Sequence, residues 1–379
     1  MKKKSSRRAF FKKAGAATSL LAASGLGLAA KNEENTAKEM EDTHPVIRIK
    51  PLGFQWETAD PFLFCVHHED FYPKGNEYME PDASLEGRNI GSDFIVKDGW
   101  RMYHGSSIPG FPGHPHRGFE TITVVRDGIV DHADSLGASG RYGDGDVQWM
   151  TAGKGVQHSE MFPLINQDKD NRMELFQIWI NLPRAQKMVE PHFKMIWGDT
   201  IPKYEATDTN GNKSHIAVIS GTLEGHTAPA PPPESWAADK SNRVGIYTIK
   251  MAPKAEWTLP KAPEGINRTI YFFTGEELLV ADRPLPFYHA AEVRVNKDIK
   301  LLNGNKESEI LILQGKPIAE PVVQHGPFVM NTKEEIQQAF SDYQRTQFGG
   351  WPWPKTDQVH DRNKGRFARH ADGREEKRG

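Results

Sequence analysis

The sequence predicts an all-β protein of two antiparallel barrel or sandwich domains followed by one C-terminal helix. Three observations carry this. Turn formers are frequent, with 34 Gly and 26 Pro in 379 residues. Short β-branched and aromatic runs recur between them, about 8 to 20 residues apart. These runs fall into two blocks of similar density on either side of a Pro/Asp-rich stretch near Trp197-Gly198-Asp199. A duplicated β-domain follows, although no repeat is evident in the letters themselves.

Taken in order, residues 1–30 form a basic region followed by a modestly apolar Ala/Gly/Leu stretch. Ser6-Arg7-Arg8-Ala9-Phe10-Phe11-Lys12 is similar to a twin-arginine export signal. The apolar stretch is too short and too rich in small residues for a membrane span, so none is expected once the signal is removed. Residues 31–45 are polar and read as a flexible tether. The first domain is assigned to 46–199. Residues 46–49 alternate, 62–66 are a short apolar run, and 121–125 (Thr-Ile-Thr-Val-Val) give the strongest strand signal. Asp127-Gly128 reads as a hairpin turn into 129–132. Residues 140–145 read as a second turn before the strand 147–150, and 175–180 is another apolar run. The second domain is assigned to 200–350, with strands near 216–219, 244–249, 268–273, 277–280 and 309–313. A polyproline-like loop (228–233) lies between the first two of these. Thr332-Lys333-Glu334-Glu335 is a capping box, and Ile336, Ala339, Phe340 and Tyr343 form the apolar stripe of a helix that Gly349-Gly350 would stop. Residues 351–379 are highly charged and read as a disordered tail.

Charge and cysteine usage exclude some roles. The leader carries seven Lys/Arg and no acid, so a formal net charge of −2 becomes −9 without it. A body that acidic is ill suited to nucleic acid, which demands clustered Lys and Arg against phosphate. Cys65 is the single cysteine, so no intrachain disulfide can form. An extracytoplasmic, periplasmic destination through twin-arginine export is expected. That route carries folded proteins and so lets a metal be acquired before export.

The chemistry lies in two short segments, His114-Pro115-His116 and His158-Ser159-Glu160. Each puts two metal-competent side chains at i and i+2, which project from one face of a strand. Two such strands side by side deliver three imidazoles and a carboxylate to one point. That set suits a redox-active divalent metal, iron(II) (Fe(2+)) foremost, with positions left open for substrate. Glu120 competes with Glu160 for the carboxylate role. It shares the parity of His114 and His116, although Gly118 or a bulge could break that parity. Gln148, His132 and Glu120 are candidates for orienting the imidazoles. Trp149, Met150, Phe119 and Phe162 are candidate cavity walls.

The run 114–121 (His-Pro-His-Arg-Gly-Phe-Glu-Thr) together with 145–160, from Gly145-Asp146-Val147-Gln148 to His158-Ser159-Glu160, closely resembles the signature of the pirin family, a branch of the cupin superfamily. His132-Ala133-Asp134-Ser135-Leu136-Gly137, the Ser235-Trp236 pair after the Pro-rich loop, and 315–332 extend the resemblance over about residues 45–350. It implies a bicupin: two jelly-roll-like barrels with metal only in the first. Carried over residue by residue, the ligands are His114, His116, His158 and Glu160, with Glu120 behind them; Glu160, as ligand or after shifting off the metal, is also the candidate catalytic base for an enol proton. Family members resemble quercetin 2,3-dioxygenases. The resemblance therefore implies a metal-dependent dioxygenase that takes a phenolic or enediol small molecule and O2. The alternative is a non-catalytic metal-bound binding or redox-sensing module that contacts a protein partner.

Overall fold

The computed structural model describes residues 43–378. The export motif and most of the tether lie outside the described residues. No helix among those described is long and apolar enough to cross a membrane.

The first domain is two six-stranded antiparallel sheets packed face to face. One runs in the order His192–Ile196, Val147–Thr151, Phe119–Asp127, Asn171–Asn181, Phe62–Tyr72, Gln55–Trp56. We call it the inner sheet, because its outer face meets the second domain. The opposing, outer sheet runs Glu375–Arg378, Arg366–Arg369, Ser139–Gly143, Ile129–Asp134, Val156–Met161, Gly110–His116. Val125, Met173 and Leu175 from the first pack with Val130, Tyr142 and Ala368 from the second, which makes the domain core. The second domain repeats the plan with a seven-stranded and a four-stranded sheet. Trp257, Phe272 and Ile312 lie in the core of this domain. Both domains are therefore open two-sheet jelly-roll-like sandwiches rather than closed barrels.

The β-branched run at 121–125 becomes the centre of Phe119–Asp127, whose residues 119–125 are buried on both faces. Ile122 and Val124 face the second domain, where they join Trp149, Phe176 and Ile178 against Tyr271, Leu311 and Leu313. Burial on both faces explains why this stretch is continuously apolar or β-branched instead of alternating.

Several expectations need correction. Asp127-Gly128 is a tight turn, with Gly128 at φ 85°, but it does not make a hairpin. Phe119–Asp127 pairs with Val147–Thr151 and Asn171–Asn181, whereas Ile129–Asp134 pairs with Ser139–Gly143 and Val156–Met161. The chain thus crosses from one sheet to the other there. Residues 139–143 are a strand, not a turn, because their backbone completes a ladder with Ile129–Asp134. Val46–Pro51, grouped by chain order with the first domain, is the edge strand of the second domain's large sheet and pairs with His289–Val293. The helix Lys333–Thr346 has the expected reciprocal capping box between Thr332 and Glu335. It stops two residues before the glycines, where Gln347 and Phe348 turn left-handed (φ 49° and 47°).

The disordered tail is not found. Arg366–Arg369 pairs with Ser139–Gly143 and Glu375–Arg378 pairs with Arg366–Arg369, so the C-terminus extends the outer sheet by two strands. Its charges are spent on distant partners. Arg366 reaches the buried Asp146, and the Glu376 carboxylate accepts from Trp197 Nε1 at 2.7 Å. Arg362 donates to the carbonyls of Ile165 and Asn76. Phe367, at 1 % exposure, supplies the apolar anchor that the charged composition hides.

Candidate metal centre

His114 and His116 sit on Gly110–His116, the edge strand of the outer sheet, and His158 and Glu160 on its neighbour Val156–Met161. The antiparallel register sets His114 opposite His158. Directly opposed residues share a face, so the pairing gathers the three rings. Centroids are 4.7 Å apart for His114–His116, 4.5 Å for His114–His158 and 4.9 Å for His116–His158. One nitrogen from each ring lies within 4.8 Å of the others.

The donor set fits a divalent metal on its own chemistry. His114 Nδ1 donates to the Pro112 carbonyl at 2.9 Å, which leaves Nε2 with its lone pair toward the cluster. His116 Nδ1 and both ring nitrogens of His158 are buried with no hydrogen-bond partner among the described residues. Orphaned nitrogens of this kind cost about 1–3 kcal/mol each unless something binds them. Burial drives the imidazoles toward the neutral, ligating form. It lowers His114 to about 4 and holds His116 and His158 well below the ordinary histidine value.

Glu160 lies beside the cluster, its Oε2 at 3.8 Å from His158 Nε2. It is tied to the opposing sheet: Thr123 Oγ1 donates to Oε1 at 2.6 Å and Gln177 Nε2 to Oε2 at 2.9 Å. Burial raises its pKa.

Glu120 is elsewhere. It is fully buried on the back of the inner sheet, where it accepts from Thr151 Oγ1 at 2.6 Å and from Ser235 Oγ of the second domain at 2.5 Å. The parity with His116 fails because the chain changes sheets between them. Gly118 makes that crossing at φ 86°, and a Cβ there would stand 2.0 Å from the Val329 carbonyl. Of the other candidates, His132 is close, its ring 5.5 Å from His158 with Nε2 at 3.1 Å from Asp134 Oδ2. Gln148 is opposite Thr123 in the ladder, and both its amide atoms are buried without a partner among the described residues.

The cluster opens into a cavity of about 550 Å³ that His114, His116 and Glu160 help to line. Its walls are mostly aromatic, with Phe64, Phe111 and Trp179 prominent, and Phe162 is the one expected wall residue that lines it. Trp149 belongs to the interdomain core and Met150 to a small cluster with Ala152 and Val156. Phe119 stays behind, its ring centroid 4.0 Å from that of Trp179 at a 30° tilt. Leu175, Gln177 and Trp179 alternate into the cavity while Phe176, Ile178 and Ile180 enter the interdomain core. The signal for this was present: a lone glutamine in the middle of an apolar run marks a wet or functional face. His68 and His104, which also line the cavity, carried no comparable signal.

Comparison with known proteins agrees with this architecture. The Pirin family model matches residues 75–180 and that of the Pirin C-terminal cupin domain residues 246–349. A pirin-like protein of Caulobacter vibrioides is 37% identical over 242 residues, which covers 64% of this chain and 81% of that protein. Pirin of Homo sapiens is 34% identical over 253 residues, 65% of this chain and 80% of its own. Among solved structures, quercetin 2,3-dioxygenase from Acinetobacter baumannii superposes with a TM-score of 0.61 at 28% identity, over 81% of this chain and 96% of that one. With both cupin domains matched and four-fifths of these relatives spanned, the chain belongs to the pirin family.

Proposed function

We propose that this pirin is an exported metal-dependent dioxygenase that opens flavonol-like phenolic enediols with O2. The observation that carries the reading is a cluster of three imidazoles, His116 and His158 buried and His114 half-buried, two of which, His114 and His116, line a cavity with several aromatic walls. The Acinetobacter baumannii structure, named for quercetin 2,3-dioxygenation, supports the substrate class. Export rests on Ser6–Lys12 of the sequence.

His114, His116, His158 and Glu160 are the ligands assigned to one divalent metal, iron(II) first. When bound, such a metal lowers the pKa of an enol hydroxyl and allows O2 to add across the activated carbon–carbon bond. The protein's own groups do the rest. Three neutral rings and one carboxylate leave a net charge of +1 around a divalent ion, which favours an anionic enolate over the neutral enol. Glu160 takes the enol proton on its carboxylate, and Thr123 and Gln177 hold that carboxylate in place. Phe111 and Trp179 bracket a flat ring system and exclude water from it.

The test is oxygen uptake by iron-loaded protein with flavonols and catechols, paired with metal analysis. His116→Ala should lose both the metal and the uptake while melting near the temperature of the metal-free parent. Wild-type protein that retains one metal per chain yet consumes no oxygen with any enediol would sink the dioxygenase reading and leave a metal-bound binding module.

A further inference from the structure

The same cavity is lined by two further imidazoles that the proposed metal does not use, His68 and His104, and the first of them is built into a polar network. His68, on Phe62–Tyr72, is 4 % exposed and lines the cavity wall. Its ring is 5.9 Å from that of Phe111, which in turn is 6.3 Å from His114. Behind it runs a buried chain of polar groups. Arg101 donates to Asp70 from Nε at 2.9 Å and from Nη2 at 3.1 Å; burial raises the Asp70 pKa, and this two-pronged guanidinium contact opposes it in favour of the carboxylate. Tyr103 donates its hydroxyl proton to Asp70 Oδ2 at 2.6 Å. Having spent that proton, the Tyr103 oxygen can only accept, so the 2.8 Å contact to His68 Nδ1 is an Nδ1–H donation. The proton on Nδ1 leaves Nε2 as a bare lone pair with no partner among the hydrogen bonds of the described residues, in a ring that forms the cavity wall.

Two further facts fit a built acceptor. Tyr103 is held at φ 57°, a left-handed conformation that costs a bulky residue about 1–3 kcal/mol and that folds tend to keep at functional sites. Burial also pushes His68 down to about 3, so the ring stays neutral and keeps its lone pair at any working pH.

Resting on the flavonol reading above, we propose that His68 is a specificity-determining residue. Its Nε2 accepts a hydrogen bond from a phenolic hydroxyl on the part of the substrate remote from the metal, with Tyr103 and Asp70 as its positioning residues. The cavity then selects polyhydroxylated flavonols over those whose second ring carries no hydroxyl.

The experiment compares binding of quercetin, which has two hydroxyls on that ring, with galangin, which has none there and is otherwise the same, by fluorescence quenching on metal-loaded and metal-free protein. His68→Phe should weaken quercetin about fivefold to tenfold, the worth of one such hydrogen bond, and leave galangin within twofold. His68→Gln, which offers an amide oxygen, should restore part of the preference, and melting curves establish that both variants fold. Folded His68→Phe protein that keeps the wild-type preference overturns the inference alone. Wild-type protein that binds neither flavonol overturns the substrate reading and the inference with it.

Discussion

Replacing Glu120 by Gln should make the protein more stable in alkali and change little in acid. Glu120 is fully buried between the domains, and its two hydrogen bonds come from neutral hydroxyls, not from a cation. Burial lifts its pKa to about 7 from the 4.5 of an exposed glutamate. Because the folded value is the higher one, the folded chain holds this proton over a range where the unfolded chain has released it. The stabilising contribution is complete below about pH 4.5 and disappears as pH rises through about 7. At about 1.4 kcal/mol per pKa unit, the 2.5-unit gap amounts to a ceiling of about 3 kcal/mol lost by pH 8.5. Glutamine keeps the shape and cannot ionise. Thr151 and Ser235 can each rotate to accept from its amide, at some expense in geometry, so a net gain of about 1–2 kcal/mol at pH 8.5 is expected. Urea unfolding at pH 5 and pH 8.5 measures this: the two proteins should nearly coincide at the lower pH and separate at the higher. Parallel pH profiles would refute the argument, since they would mean that Glu120 is ionised throughout.

Gly118→Ala should cost about 3 kcal/mol or more, because the residue must hold φ 86° with its new methyl at 2.0 Å from a carbonyl oxygen; urea unfolding reads the loss, and a cost below 1 kcal/mol would show that the sheet crossing tolerates a side chain. Deleting residues 351–379 should destabilise the first domain by at least about 3 kcal/mol, roughly the burial of Phe367 alone, and weaken metal retention. The segment's Thr356 carbonyl accepts from the Gly113 amide at 2.8 Å, next to His114; unchanged melting and metal content would mean the added strands are ornamental.

The site was legible wherever one strand decided the outcome. Each i, i+2 pair puts its two side chains on one face of its own strand, although the ladder between the two strands is what sets His114 opposite His158, and the capping box at Thr332 fixes the helix start by local bonds alone. Illegibility began where distant pairing decides. Glu120 is only four residues from His116, yet a sheet crossing at Gly118 sends it to the opposite side of the inner sheet. Asp127-Gly128 has hairpin chemistry but serves a corner, because each flanking strand finds better partners elsewhere. The C-terminal charges suggested disorder because their counterparts, Asp146 and a set of backbone carbonyls, lie some two hundred residues away in the chain. His68 could not be read at all. Its meaning depends on Tyr103 and Asp70, and nothing in the local letters separates it from His67, which instead meets Glu174 at 3.0 Å.

Why the histidine cluster and its cavity lie in one domain of a matched pair can be argued from the same packing. Between the sheets of the second domain lie Met251, Trp257, Phe272, Leu278 and Ile312, all buried and in contact, where the first domain keeps its cavity. Among the described residues, no group of His, Cys, Asp or Glu other than His114, His116 and His158 gathers closely enough to hold an ion. A cavity of that size removes packing that a sandwich would otherwise use. The strand Asn171–Asn181 shows how this is offset. One of its faces gives Leu175, Gln177 and Trp179 to the cavity, and the other buries Phe176, Ile178 and Ile180 in the core shared with Tyr271 and Leu313. The filled domain therefore supplies, from behind, the apolar burial that the open one has given up in front. Glu120, bonded to Ser235 across the same boundary, pins that rear surface. On this account the second domain is the rigid backing that lets the inner sheet hold Thr123 and Gln177 against Glu160.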